Sequence, residues 1–160
     1  VLGPSHVARY EDRKVLPYTN AVVHEIQRCS SISAIGIMRK CAKDTTLQGF
    51  PITKGTLIFP NIYSFLYDPE QWETPQKFNP KHFLDKGGNF VNKEAFLPFG
   101  AGHRVCLGEQ LARTKLFIFF VTLLQAFTFH LPEGVKKVNI EPVLGNILQP
   151  HPYTTCAVPR

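Results

Sequence analysis

The run from Gly108 to Phe127 constrains this chain more than any other part of it. It holds no glycine or proline after Gly108, is apolar over most of its length and has Glu109 in its first turn. It therefore reads as the strongest helix, with Leu111, Ala112, Leu116, Phe119 and Leu123 continuing one stripe. Its most apolar part, Leu116 to Leu124, is interrupted by Thr122 and followed by Gln125, which falls short of a membrane span and predicts a buried helix. Immediately upstream, Thr74 to Gly102 carries repeated glycine and proline without sustained periodicity. That predicts a long ordered loop, a length at which loops are usually functional.

Elsewhere the elements are shorter. Pro17 suits a first helical position, and Tyr18 to Arg28 follows with Ala21, Val22 and Ile26 at helical spacing. Ser30 to Met38 is apolar with several β-branched residues and predicts a short extended segment. Asp44 to Phe59 holds two turn signals, Gln48-Gly49 and Lys54-Gly55, between strand-like runs, as small hairpins would. Asn61 to Leu66 predicts a short helix. Asp68-Pro69 reads as an N-cap and first helical proline, starting a brief helix through Trp72. Val135 to Arg160 is strand and turn material. The sum is a mainly α chain with small β-sheets, an α+β class, over residues 1–160 as one domain.

With 44% hydrophobic and 19% charged residues in 160, the composition is globular. The net charge of +6 is scattered, without the basic runs and interleaved aromatics of a nucleic-acid surface, so nucleic acid is excluded as a partner. The surplus is either solvated surface or a face for an acidic redox partner. Cys29, Cys41, Cys106 and Cys156 lie far apart, without paired zinc-type spacing or the density of a disulfide scaffold, so reduced thiols are expected. The sequence begins at Val1 with neither signal peptide nor anchor, which raises the expectation of a fragment.

Chemistry concentrates in Phe99-Gly100-Ala101-Gly102-His103-Arg104-Val105-Cys106-Leu107-Gly108, where a cysteine stands between a glycine-rich loop and a helix start. Amide N–H groups and the helix dipole stabilise negative charge there, and Arg104 adds to this, which favours a thiolate. A free cysteine that merely precedes a buried helix is the plainer alternative. The pattern weighs against it: Phe99, Gly102, Arg104, Cys106 and Gly108 fit F-x-x-G-x-R-x-C-x-G at every fixed position. At roughly one in twenty per position, a chance match is on the order of one in ten thousand or rarer.

That pattern resembles the cysteine loop of the cytochrome P-450 superfamily, and the resemblance covers essentially the whole chain. Glu25-Ile26-Gln27-Arg28 is similar to the family's E-x-x-R, and Asn79-Pro80-Lys81-His82-Phe83 to its P-x-x-F element, in the family's order. By itself E-x-x-R means little, because such pairs are usually exposed and weak. Val23 to Arg28, Asp44 to Phe50 and Glu94 to Pro98 resemble vertebrate family 2, and Pro152 to Arg160 resembles its D subfamily. Gly100, His103, Lys81-His82, Ala34 and Met38 depart from common family residues.

The resemblance implies the C-terminal, haem-binding part of the cytochrome P-450 fold, with haem b (iron protoporphyrin IX) bound through Cys106 as axial thiolate. Phe99, Gly102, Arg104, Gly108 and Arg39 would contact the cofactor. Phe99 would shield the sulfur, Arg104 and Arg39 would meet propionates, and the glycines would let the flat macrocycle approach the backbone. Glu25 and Arg28 would form a buried ion pair that secures the haem-side core. Ile35, Gly36, Ile37, Asn146 and Ile147 would face substrate, or else form ordinary strand core. His24 and His103 are rejected as iron ligands.

The implied activity is NADPH-dependent monooxygenation of an apolar xenobiotic, steroid or fatty-acid-like substrate. Electrons would come from NADPH-cytochrome P-450 reductase, with cytochrome b5 as a further partner and Arg104, Arg113 and Lys115 on the approach side. The resemblance also implies the cytoplasmic face of the endoplasmic reticulum membrane, through a missing N-terminal anchor. The family's distal A-G-x-[DE]-T motif is not found in these residues. Two other classes stay open: a hydrolase with Cys106 as a histidine-activated nucleophile, and a truncated, non-catalytic product that keeps the haem-side half.

Overall fold

The structure, a computed structural model, describes residues 1–3, 5–145 and 147–160. Its helices are α1 (Pro17–Ser30), α2 (Ile62–Leu66) and α3 (Glu109–Ala126). Its strands are β1 (Arg39–Lys40), β2 (Thr45–Leu47), β3 (Phe50–Ile52), β4 (Leu57–Ile58), β5 (Phe127–His130), β6 (Pro142–Val143), β7 (Gln149–Pro150) and β8 (Cys156–Pro159). They form antiparallel pairs at the margins, β1 with β4, β2 with β3, β5 with β8 and β6 with β7. The class is α+β, as expected. Among the described residues no helix is long and apolar enough to cross a membrane.

Helix α1 is the hub. Pro17 opens it, and Ser31 closes it in the left-handed region (φ 38°), its amide donating to Gln27 O. Ala21 packs into one core cluster with Leu66, Trp72, Phe83 and Phe96. Val23 packs into a second with Ala8, Phe117 and Val121. Full burial of a ring such as Phe83 or Phe117 is worth about 1.5–3 kcal/mol.

Several expectations need correction. The α3 stripe does not face the core: Leu111, Leu116, Phe119 and Leu123 are exposed, and Phe117 and Val121 are the buried positions. Apolar residues occupy nearly every side of α3, so periodicity does not select a face. Ser30 to Met38 is not extended; it completes α1 and turns back, with Gly36 at φ 58° donating to Ser33 O. The reversal is held from both sides, by Tyr63 N to Ala34 O and Leu148 N to Ile32 O, each 2.9 Å.

Gln48-Gly49 does close a hairpin between β2 and β3, both residues at positive φ (49° and 84°) as a type I′ turn requires. Lys54-Gly55 closes none with β3: β4 pairs back with β1, and Gly55 N and Cys41 N extend that ladder. Asn61 caps α2 by accepting from Ser64 N. Asp68 accepts from the amides of Gln71 and Trp72, but only a turn follows, because Trp72 Nε1 donates to Phe65 O and the ring enters the core. Tyr10–Lys14 forms an unforeseen 3-10 helix.

Thr74 to Gly102 is the expected ordered loop, broken by a 3-10 turn at Pro80–Phe83. It carries the chain from the first core cluster to the start of α3.

Candidate functional site

The cysteine loop closes on itself before α3 begins. Cys106 N donates to Phe99 O at 3.0 Å, Gly100 N to Leu97 O, and Val105 N to Gly102 O across the 3-10 turn Gly102–Arg104. Gly100 and Gly102 sit at φ 78° and 68°, a region that L side chains rarely adopt. Glu109 N donates to Cys106 O and Ala112 N to Gly108 O, so the cysteine lies at the N-terminus of α3. Cys106 is exposed, as are Gly102, His103 and Arg104, while Phe99 is half-buried and leaves the cysteine accessible.

This loop forms one wall of a cavity of about 880 Å³. Cys106, Phe99, Gly102's neighbours Ala101 and His103, and Gly108 line that wall. The other walls are largely apolar, from Ile32, Ile37, Pro60, Ile62 and Leu116. Cations gather where Arg39 and Arg104 line the same space, and Arg39 Nη2 donates to Arg104 O at 3.1 Å. Of the other anticipated substrate residues, Gly36 lines the cavity and Ile35 does not; Ile147 is exposed away from it, and Asn146 lies outside the described residues.

Glu25 and Arg28, both fully buried, pair through Nε to Oε2 (2.9 Å) and Nη2 to Oε1 (2.8 Å). Arg28 also donates to the carbonyls of Leu66, Pro75 and Lys77, and its guanidinium stacks over Tyr67 and Trp72. Burial works against both charges, yet mutual hydrogen bonding outweighs it: Glu25 titrates below and Arg28 above the ordinary value, with Asn79 N aiding Glu25. This pair ties α1 to the loop after α2.

Sequence reasoning missed the third member of that network. His82 Nδ1 lies 3.3 Å from both Glu25 oxygens, while its Nε2 accepts from Thr74 N. The Thr74 amide can only donate, so Nε2 carries a lone pair and Nδ1 donates to Glu25. The signal was available, since His82 sits inside the P-x-x-F segment.

His24 is buried against Phe83, Phe90 and Phe96 with both nitrogens engaged, Nδ1 donating to Asn20 O and Nε2 accepting from Arg113. Burial, aided by the charges of Arg113 and Arg13, pushes it down to about 4. Arg113 pairs with Glu109 and lies over the rings of Phe96 and Phe99, which links α1 to the cysteine loop. Among the described residues, no cluster of three metal-ligating side chains forms and Cys106 makes no hydrogen bond to a histidine.

Comparison with known proteins accounts for this combination. Residues 1–157 match the family described as cytochrome P-450, and the chain belongs to that family. Its curated relatives include cytochrome P-450 2K6 of Danio rerio, 56% identical over 152 residues covering 94% of this chain and 30% of that protein. Cytochrome P-450 2D28 of Mesocricetus auratus is 48% identical, and cytochrome P-450 2D6 of Pan troglodytes 47% identical, each over all 160 residues and 32% of the relative. These are family 2 proteins, as the sequence runs implied. The D-type relatives align through the Pro152 to Arg160 ending, while the K-type relative is more alike over its shorter alignment. The chain thus spans about a third of the length of these relatives.

Haem b is the cofactor of this family, and the residues present fit it. A single accessible sulfur stands in a largely apolar wall, with Arg39 and Arg104 in the same cavity for acidic groups. Open space lies in front of Gly100 and Gly102, where an added Cβ would meet nothing within 4 Å. At Gly108 a Cβ would stand 3.8 Å from the sulfur, an ordinary contact. The need for glycine at 100 and 102 is therefore conformational within this chain.

Proposed function

We propose that residues 1–160 form the haem-side, C-terminal portion of a haem-thiolate monooxygenase, a partial domain of a longer protein, with Cys106 as the axial ligand. The observation that carries this is the exposed Cys106 at the N-terminus of α3, opening on a largely apolar cavity that Arg39 and Arg104 also line. Cys106 sits at the positive end of the α3 dipole, a position that suits an electron-donating sulfur ligand. Arg104 and Arg39 would meet the acidic groups of the haem, and Phe99, Gly102 and Gly108 would belong to the loop that holds it. Bound haem supplies dioxygen activation, which a thiolate ligand promotes by donating electron density to the iron. Gly36 and Ile37, which line the cavity, would contact an apolar xenobiotic, steroid or fatty-acid-like substrate, and Ile35, Asn146 and Ile147 are proposed as substrate residues from the family resemblance alone. Overall, one atom of dioxygen would enter a C–H bond of that substrate as a hydroxyl and the other would leave as water, consuming two electrons from NADPH and two protons.

The electrons arrive through NADPH-cytochrome P-450 reductase, with cytochrome b5 as a second donor, on the face of Arg104 and Lys115. Arg113 is a poorer docking cation, because Glu109 and His24 already hold it. The location proposed is the cytoplasmic face of the endoplasmic reticulum membrane. The test is the reduced, carbon monoxide-bound difference spectrum of the haem-loaded protein beside Cys106→Ser. A thiolate-type Soret band lost in the variant is the expected result; the same band in both would remove Cys106 as ligand.

A further inference from the structure

A second cavity, of about 520 Å³, lies apart from the cysteine loop and is lined by groups of a different chemistry. Arg13, Lys14 and Arg113 contribute cations, and Asn20, Asn89 and Asn92 contribute amides. Among the described residues no carboxylate lines it. Of the acidic groups on the neighbouring elements, Glu109 is committed to Arg113, Asp12 to His6 and the Arg9 amide, and Asp85 to the amides of Gly87 and Asn89, while Glu11 is exposed and outside the lining.

The lining is already ordered. Arg13 donates to Tyr10 O and lies 4.0 Å over the Tyr10 ring. Arg113 is fixed by Glu109 Oε1 and His24 Nε2 at 2.8 and 2.9 Å. His24, neutral because both its nitrogens are engaged, adds no charge of its own. Asn20 is the unexplained group: only 5% exposed, it lines the cavity, and its side-chain amide has no hydrogen-bond partner among the described residues. Its polar atoms are not among the fully enclosed unpartnered ones, so they open onto the cavity, where a ligand oxygen can reach them. Lys14 likewise has no ionic partner among the described residues.

We infer that this cavity is a binding site for a phosphate-bearing small molecule, a phosphate monoester whose organic part lies against Tyr10 and Phe90. The ordered Arg13 guanidinium, the Lys14 ammonium and the Asn20 amide match the several oxygens of a phosphate, while Arg113, already held by Glu109 and His24, adds positive potential behind them. The volume is within the range of small-molecule sites and exceeds what a bare oxyanion needs, while Tyr10, Pro17 and Phe90 give the remainder an apolar wall. The inference does not depend on haem ligation by Cys106.

The test uses the full-length haem-loaded protein, titrated calorimetrically at constant ionic strength with phenyl phosphate, inorganic phosphate and phenol. Saturable binding of phenyl phosphate, weaker for phosphate and absent for phenol, is expected. Lys14→Glu and Asn20→Asp should each weaken phenyl phosphate at least tenfold with the carbon monoxide spectrum unchanged. Lys14 is exposed, so its variant keeps the test decisive should Asn20→Asp not fold. No saturable binding, or affinity unchanged in Lys14→Glu, overturns the site. Binding of a Glu-rich peptide that Lys14→Glu weakens and phenyl phosphate does not displace overturns it in favour of an acidic protein surface.

Discussion

Replacing Arg28 with lysine keeps the charge and removes the geometry. In the native network one guanidinium serves both oxygens of Glu25 and the carbonyls of Leu66, Pro75 and Lys77, all from a fully buried position. An ammonium has three donors on a single nitrogen, so it cannot reach the carboxylate and three carbonyls on different segments at once. At least one buried carbonyl is stranded, at about 1–3 kcal/mol. Lost stacking over Trp72 and Tyr67 adds about 0.5–2 kcal/mol. The expected cost is about 1.5–5 kcal/mol, a large share of the roughly 5–15 kcal/mol that holds a domain folded.

Arg28→Met, which leaves Glu25 buried without its partner, should cost at least as much. Trp72 is the chain's single tryptophan, 1% exposed and in contact with the guanidinium, so its fluorescence reports the network directly. In urea unfolding of the 160-residue chain the midpoint should fall with the slope unchanged. An Arg28→Lys midpoint within about 0.5 kcal/mol of the parent would refute the argument that carbonyl contacts, rather than charge, anchor this pair.

Three further outcomes are expected. Gly102→Ala forces an L residue to φ 68° and should cost about 1–2 kcal/mol, whereas Gly108→Ala, at φ −88° with its Cβ 3.8 Å from the sulfur, should cost less; equal shifts in melting temperature would contradict this. Because burial holds folded His24 at about 4 against an ordinary 6.5, the unfolded chain binds its proton first. Stability from this group is then complete above about pH 6.5 and is lost as pH falls toward 4, by up to about 3 kcal/mol; His24→Gln should flatten that slope in urea titrations between pH 4 and 7. Asn61→Ala removes the acceptor for Ser64 N and should lower stability by about 1 kcal/mol, and an unchanged urea midpoint would show the cap to be idle.

The sequence was most legible where local rules act alone. Pro17 and helical spacing placed α1, the Gln48-Gly49 pair placed the β2–β3 hairpin, and the glycine-rich run before Gly108 placed the start of α3. It was least legible where distant partners decide. β4 pairs with β1 rather than with its neighbour β3, and β8 returns to pair with β5 at the end of α3, neither of which any local pattern specifies. The exposed side of α3 was misassigned because a helix apolar on nearly every side carries no periodic signal. Cys106, Arg39 and Arg104 were named from sequence, and the structure brings them around one cavity. His82 and Arg113 escaped notice as parts of the architecture because their roles depend on loops folding back on α1.

Those two residues explain how the cysteine loop is positioned at all. Few apolar contacts fix it, since Gly102, Arg104, Cys106 and Leu107 are exposed. Its constraints are directional. Arg113 grips Phe99 by its ring while bonding to His24 on α1, and Cys106 N closes back on Phe99 O, so the sulfur's place is referred to α1 through one guanidinium. On the cavity's other side Arg39 holds Arg104 O, referring the same loop to β1. Glu25, Arg28 and His82 fix the loop that follows α2 to that same helix. A polar frame of this kind tolerates apolar substitutions around it better than the loss of its forks, because the Arg28 and Arg113 guanidiniums each hold groups from several segments at once. The E-x-x-R motif and the cysteine loop, far apart in sequence, are therefore two ends of one mechanical connection that passes through α1.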